Sequence, residues 1–169
     1  MYLTLETERL LIRPINLDDN RFILELVNTE GWLRFIGDRN VLDEKDAEEY
    51  IQKILDSTNF YYSVFELKKL RKSIGMVSLR KREDEQYPDI GFALLPDFEQ
   101  KGYALEACKS YLDKIRTSDK YDNIIAITIP DNKKSIALLR KLGLHYKRDR
   151  LKDGNTLSYF SLNQNNHLF

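Results

Sequence analysis

Between residues 89 and 129 the apolar pattern of the chain changes period twice, from strand to helix and back. Residues 89–95 form an apolar run closed by Pro96. Residues 102–115 carry apolar side chains at 104, 107, 108, 111, 112 and 115, which is one face of an amphipathic helix. Residues 124–129 are an uninterrupted, mostly β-branched run suited to a central buried strand. A strand, a crossover helix and a second strand of this kind make a parallel pair. Hairpin signals flank that unit on both sides. Runs at 61–66 and 73–80 are joined by the basic turn 68–72, and runs at 146–152 and 156–162 flank Asp153-Gly154-Asn155. Antiparallel hairpins around a strand–helix–strand unit predict an α/β fold of mixed type: a central, mostly antiparallel sheet flanked by helices.

The remaining segments fit that frame. Residues 10–14 read as a first strand ended by Pro14. Asn16 or Asp18 caps a helix running to about Val27, with Phe22, Ile23, Leu26 and Val27 on one stripe. Residues 30–40 read as irregular. Asp43 caps a second helix through Ala47, Tyr50, Ile51, Ile54 and Leu55. Residues 81–86 are a charged loop. Residues 133–142 form a last helix, stopped at Gly143 with apolar Leu144 behind it. The predicted order is β-α-α-β-β-β-α-β-α-β-β, in one domain spanning 1–169.

Composition narrows the function. The 169 residues are 42% hydrophobic and 32% charged, which is globular composition. Lys plus Arg and Asp plus Glu are 27 each, so no net charge favours direct nucleic-acid binding. No run of about 20 apolar residues suits a membrane span, and the first residues do not read as a signal peptide. Cys108, the one cysteine, lies on the apolar helix face and reads as a buried thiol. These features predict a cytoplasmic protein. Neither His145, after the last helix, nor His167, in the polar tail, reads as a catalytic base.

The segment from Leu94 to Ala104 carries the first chemical signal. An apolar strand stops, a polar loop with one glycine follows, and a helix starts. A helix start offers unpaired N–H groups and the positive end of the dipole, which suits phosphate. By itself this is a generic anion site. It is neither a P-loop nor a dinucleotide fingerprint.

A second segment, from Pro130 to Leu144, joins it. Together the two resemble the GNAT superfamily of N-acetyltransferases. The phosphate-loop pattern Q/R-x-x-G-x-G/A is matched at Gly102 and Ala104, and the helix pattern N-x-x-S/A-x-x-L-x-x-K-x-G-F at Asn132, Ser135, Leu138, Lys141 and Gly143, with Leu144 for Phe. The opening Glu8-Arg9-Leu10-Leu11-Ile12-Arg13, with Ile90-Gly91-Phe92 and Glu106-Ala107, is similar to the branch of ribosomal-protein N-terminal (alanine) acetyltransferases. The resemblance implies acetyl-CoA as cosubstrate, no metal, an amine acceptor (a peptide N-terminus or a small amine) and a possible homodimer. It implies that Phe92, Ala93 and Leu94 pair with the pantetheine arm, and that Glu99, Gln100, Lys101, Gly102, Tyr103 and Ala104 surround the pyrophosphate. It places Asn132 on the pantetheine, and Ser135 as the hydroxyl that protonates the departing thiolate. Asp89, at the start of the fourth strand, is the candidate base. Tyr103 and the Trp32/Phe35 segment are candidates to line the site.

Two positions depart from the pattern. Glu99 stands where Gln or Arg is usual, and Gln100 where Gly is frequent. A carboxylate beside a pyrophosphate repels it unless turned away or offset, and Lys101 is the nearby cation. These departures motivate one alternative, a CoA-binding module without turnover. A second is an aminoglycoside-type resistance acetyltransferase, for which Glu44, Asp46, Glu48 and Glu49 would supply an acidic cleft. A protein-interaction domain without cofactor would leave both motifs as coincidence.

Overall fold

The computed structural model describes residues 3–118 and 120–163. His167 lies outside them. Local chemistry starts each element. Asn16 and Asp19 close a capping box on a 3-10 turn (Leu17–Asp19), which runs into α1 (Asn20–Val27). The Asp43 side chain accepts from the Asp46 N–H and starts α3 (Glu44–Leu55). Gly143, at φ 85°, stops α5 (Lys133–Lys141). The Gly143 and Leu144 N–H groups donate to the Arg140 and Leu139 carbonyls, both at 3.0 Å, which is the Schellman pattern.

The strands are β1 (Leu5–Glu6), β2 (Leu10–Pro14), β3 (Phe60–Leu67), β4 (Lys72–Arg80), β5 (Asp89–Leu94), β6 (Ile125–Thr128), β7 (His145–Lys152) and β8 (Asn155–Ser161). They form one sheet in the order β1-β2-β3-β4-β5-β6-β8-β7. All neighbours are antiparallel except β5 and β6. The crossover between these two is α4 (Tyr103–Arg116). The mixed, mostly antiparallel sheet predicted from the sequence is the observed one.

Helices cover both faces. On one, α4 and α5 lay Ala107, Cys108, Tyr111, Leu112, Ile115 and Leu139 on Leu10, Ile12, Phe65, Val77 and Ile90. Cys108 is fully buried, and burial pushes its thiol pKa up, so it serves the core. On the other, α1 and α3 bring Phe22, Ile23, Leu26, Ala47 and Ile51 against Ile15, Val64 and Met76.

Two elements were not legible in the sequence. The short β1 pairs only two residues with β2. The stretch read as irregular contains α2 (Glu30–Phe35), capped by the Thr29 side chain on the Trp32 N–H. Six residues around Gly31 are too few for a helical period, and the helix rests on burial of Trp32.

Gly75 leaves room within the sheet for the Phe65 ring of β3. A Cβ there would stand 2.1 Å from the Phe65 ring and 2.7 Å from the Ala93 carbonyl oxygen. Gly75→Ala is expected to cost about 3 kcal/mol or more, read as a lower urea midpoint. A midpoint unchanged within error would show that the sheet yields there.

Candidate active site

The parallel pair at the centre of the sheet is almost absent. Among the described residues β5 and β6 share one bridge, Asp89↔Ile125, with the Ile125 N–H donating to the Pro88 carbonyl at 3.0 Å. Beyond it the strands part. The β4 register sets which backbone groups are left open. Leu95 N–H donates to the Ile74 carbonyl, so by alternation Ala93, Gly91 and Asp89 bond to β4. Phe92 and Leu94 therefore turn their N–H and C=O groups into the gap. Ala93, expected to pair with the pantetheine, gives its backbone to β4 and borders the gap by position.

A buried ion pair sits at the vertex. Asp89 is 3% exposed. Its Oδ2 accepts from Arg82 Nε at 2.8 Å and Nη2 at 2.7 Å. Burial raises the Asp89 pKa, against the lowering effects of Arg82, Arg80 and the Ile127 N–H. The carboxylate thus acts on a β6 N–H just where the β5–β6 ladder stops.

The wide end of the gap meets the start of α4. Gln100 and Gly102 are both left-handed, at φ 59° and 81°. This explains why glycine suits position 100. Gly102 is the N-cap residue, and no side chain caps the helix. The turn is held from below. Glu106 accepts from the Thr7 hydroxyl at 2.6 Å, from the Arg9 N–H at 3.0 Å and from Arg9 Nε at 2.6 Å. Arg9 Nη1 donates to the Lys101 carbonyl at 3.0 Å, and the guanidinium lies 4.5 Å from the Tyr103 ring centroid. Tyr103 is thereby a clamp contact. Burial raises the Glu106 pKa, but Thr7 and Arg9 outweigh it and the net shift is downward. The partners lie 97 and 99 residues from Glu106, a pairing no sequence spacing reveals.

Glu99 is neutralised from across the gap: Lys134 Nζ, in the first turn of α5, reaches its Oε2 at 2.6 Å. Lys101, the cation expected to offset it, donates instead to the Asp97 carbonyl at 2.7 Å. Asn132 caps α5 through its Oδ1 on the Ser135 N–H at 3.1 Å. Both side chains are half-buried. The other aromatic candidate is structural: Trp32 is 4% exposed, and its indole N–H donates to the Gly37 carbonyl at 3.1 Å. His145 opens the exposed strand β7.

An open central strand edge, facing an uncapped helix N-terminus, matches a ligand with an extended amide arm and a phosphate end. The domain model described as "Acetyltransferase (GNAT) domain" matches residues 9–145. The chain belongs to the GNAT acetyltransferase family. A relative described as the uncharacterized N-acetyltransferase YnaD of Bacillus subtilis (strain 168) is 28% identical over 138 residues, 82% of this chain and 80% of that one. Among solved structures, a GNAT-family acetyltransferase from Bacillus anthracis is similar at TM-score 0.79 and 24% identity, covering 95% of this chain and 97% of that one. A ribosomal-protein-S5-alanine acetyltransferase from Vibrio fischeri superposes at TM-score 0.80 and 20% identity, covering 94% and 95%. The fold they share is that of this chain, and the enzyme is an acetyltransferase.

Two outcomes follow for the loop. Gly102→Ala places a side chain at φ 81°, expected to cost about 1–2 kcal/mol and to weaken acetyl-CoA binding in calorimetry. Glu106→Gln loosens the clamp. With its folded pKa depressed, Glu106 stabilises fully above its ordinary value of 4.5, and this is lost as pH falls through the lower folded value. The variant should lose stability at neutral pH and show a shallower acid dependence below about pH 4.5. Parallel acid titration curves for the two proteins would contradict this.

Proposed function

We propose that the enzyme transfers the acetyl group of acetyl-CoA to a primary amine, with an α-amine as the preferred acceptor class. The parting of β5 and β6 carries this reading. It leaves the Phe92 and Leu94 backbone groups for the amides of the pantetheine arm, with the pyrophosphate at residues 100–104. Asn132 and Ser135 flank the arm from α5.

The acceptor class rests on proton chemistry. At pH 7 the free-base form costs about 1.4 kcal/mol for an α-amine and about 4.6 for a lysine. An α-amine therefore needs only a modest base. The neutral nitrogen attacks the thioester carbonyl carbon, and the C–S bond breaks. Asp89, raised in pKa by burial, takes the nitrogen's proton through a water. Ser135 donates a proton to the thiolate and regains it from solvent. Gap-facing N–H groups of β5 stabilise the oxyanion. The surroundings of Glu44, Asp46, Glu48 and Glu49 speak against an acidic acceptor cleft: Glu44, Glu48 and Glu49 are exposed, with Glu44 on Arg21 and Glu48 on Asn20, and Asp46 accepts from the Leu42 N–H. A cytoplasmic setting suits this chemistry, and no helix among the described residues is long and apolar enough to cross a membrane.

Calorimetry is expected to give micromolar acetyl-CoA binding. Thiol release over a panel of amines and peptides should be acceptor-dependent. Cofactor binding with no acceptor-dependent release would instead support a CoA-binding module. Ser135→Ala should lower kcat about 10- to 100-fold with little change in KM. Asp89→Asn strands the Arg82 charge and should cost about 3–5 kcal/mol. Adding Arg82→Gln should restore stability without restoring kcat. Recovery of both would make Asp89 a purely structural residue.

A further inference from the structure

The face of the sheet opposite α4 and α5 holds a second cluster at the same vertex. By register, Arg80 is the cross-strand partner of both Asp89 and Phe60, and Ser78 that of Gly91 and Tyr62. Strand alternation puts all six on the α3 side. There Gly91 leaves room beside the Ser78 hydroxyl: an added Cβ would stand 2.8 Å from it. Tyr50 of α3 and Arg39, from the segment before α3, complete the cluster. With α4 and α5 on one side of the gap, this is the side from which an acceptor reaches the thioester.

Its charge is only partly compensated, since the carboxylate that Arg80 acts on, Asp89, is bonded to Arg82. Arg9, Arg13 and Arg82 each have a carboxylate partner. Among the described residues no carboxylate lies within ion-pair distance of Arg39 or Arg80. Arg39 donates to the Asp38 and Ile36 carbonyls, at 3.3 and 3.4 Å, hydrogen-bonds the Tyr50 hydroxyl and lies over Trp32 at 6.0 Å. Arg80 lies over the Phe60 ring at 5.4 Å, and its buried Nε has no hydrogen-bond partner. Both act on the Tyr50 hydroxyl, Arg39 by a hydrogen bond and Arg80 through its charge. Burial and Tyr62 push Tyr50 up to about 12, and the charges of Arg39 and Arg80 oppose that rise. Asp89, the carboxylate opposite Arg80, is taken by Arg82. A buried guanidinium N–H without an acceptor is costly, and an anionic oxygen relieves it with a strong, charge-assisted bond.

We infer that the acceptor carries an anionic group, carboxylate or phosphate, close to its reactive amine, and that Arg39 and Arg80 hold that group. This rests on the amine-transfer reading and names the kind of amine. It also disfavours polyamines, whose second cation would face both arginines.

The test uses two matched acceptor pairs. One is a peptide beginning Ser-Asp-Glu against one beginning Ser-Lys-Lys. The other is phosphoethanolamine against spermidine. The anionic member of at least one pair should show kcat/KM at least about 10-fold higher, lost progressively with added salt. The pair that responds tells a peptide acceptor from a small phosphorylated one. Arg39→Gln and Arg80→Gln should each erode the preference through KM, leaving the acetyl-CoA KM unchanged, while Arg80→Lys retains most of it. Equal or reversed preference in both pairs, or a preference that survives both glutamine substitutions, overturns the inference. Binding is read separately with CoA in place of acetyl-CoA, through Trp32 fluorescence. Anion-selective binding that weakens in Arg80→Gln, without acetyl transfer to any amine, supports the anion site and overturns the amine reading. Binding with no anion selectivity overturns the anion site whatever the turnover.

Discussion

The separation of β5 from β6 after a single bridge organises the molecule. A central parallel pair would normally satisfy every backbone group between its strands. Here the ladder stops at Asp89↔Ile125, and half of the β5 backbone beyond it faces open space. Such an edge is costly on a sheet flank and more so at its centre, which makes it a feature to be explained by a ligand. The Asp89–Arg82 pair stands at the point of divergence, its carboxylate acting on an N–H of β6. One buried charge pair thus serves the shape of the cleft, the placing of the proposed base and the charge balance around it.

The rest of the site depends on that opening being kept in register with α4. The Thr7–Arg9–Glu106 clamp does this by tying the β1–β2 turn to the first turn of the helix. It leaves the helix start without a side-chain cap, so its N–H groups stay available. The Glu99–Lys134 pair joins the same loop to α5 across the cleft. The loop departures are accommodated by tertiary partners: a lysine 35 residues away for Glu99, and a left-handed backbone for Gln100.

The two faces of the cleft are electrostatically distinct. On the α4 side, backbone dipoles make the anion-favouring surface. On the α3 side, two arginines do so, both acting on Tyr50. The acidic stripe of α3 belongs to solvent and to α1, so it does not offset this charge. The acceptor preference proposed here follows from that separation.

Periodicity and short-range chemistry were enough to determine the sheet class, the crossover helix, the Asp43 cap and the Asp153-Gly154 hairpin. Each is decided by residues within a few positions of one another. The paired motifs around Gly102 and Asn132 likewise identified the family. Other features are decided by partners far apart in the chain: α2, too short for a period and held by Trp32; the Glu106 clamp, closed over 97 residues; the partner of Glu99, which is Lys134 and not Lys101; and the buried Arg80 Nε left without a hydrogen-bond partner. A sequence shows which charges exist. Only the folded chain shows which of them meet, and which are left for a ligand.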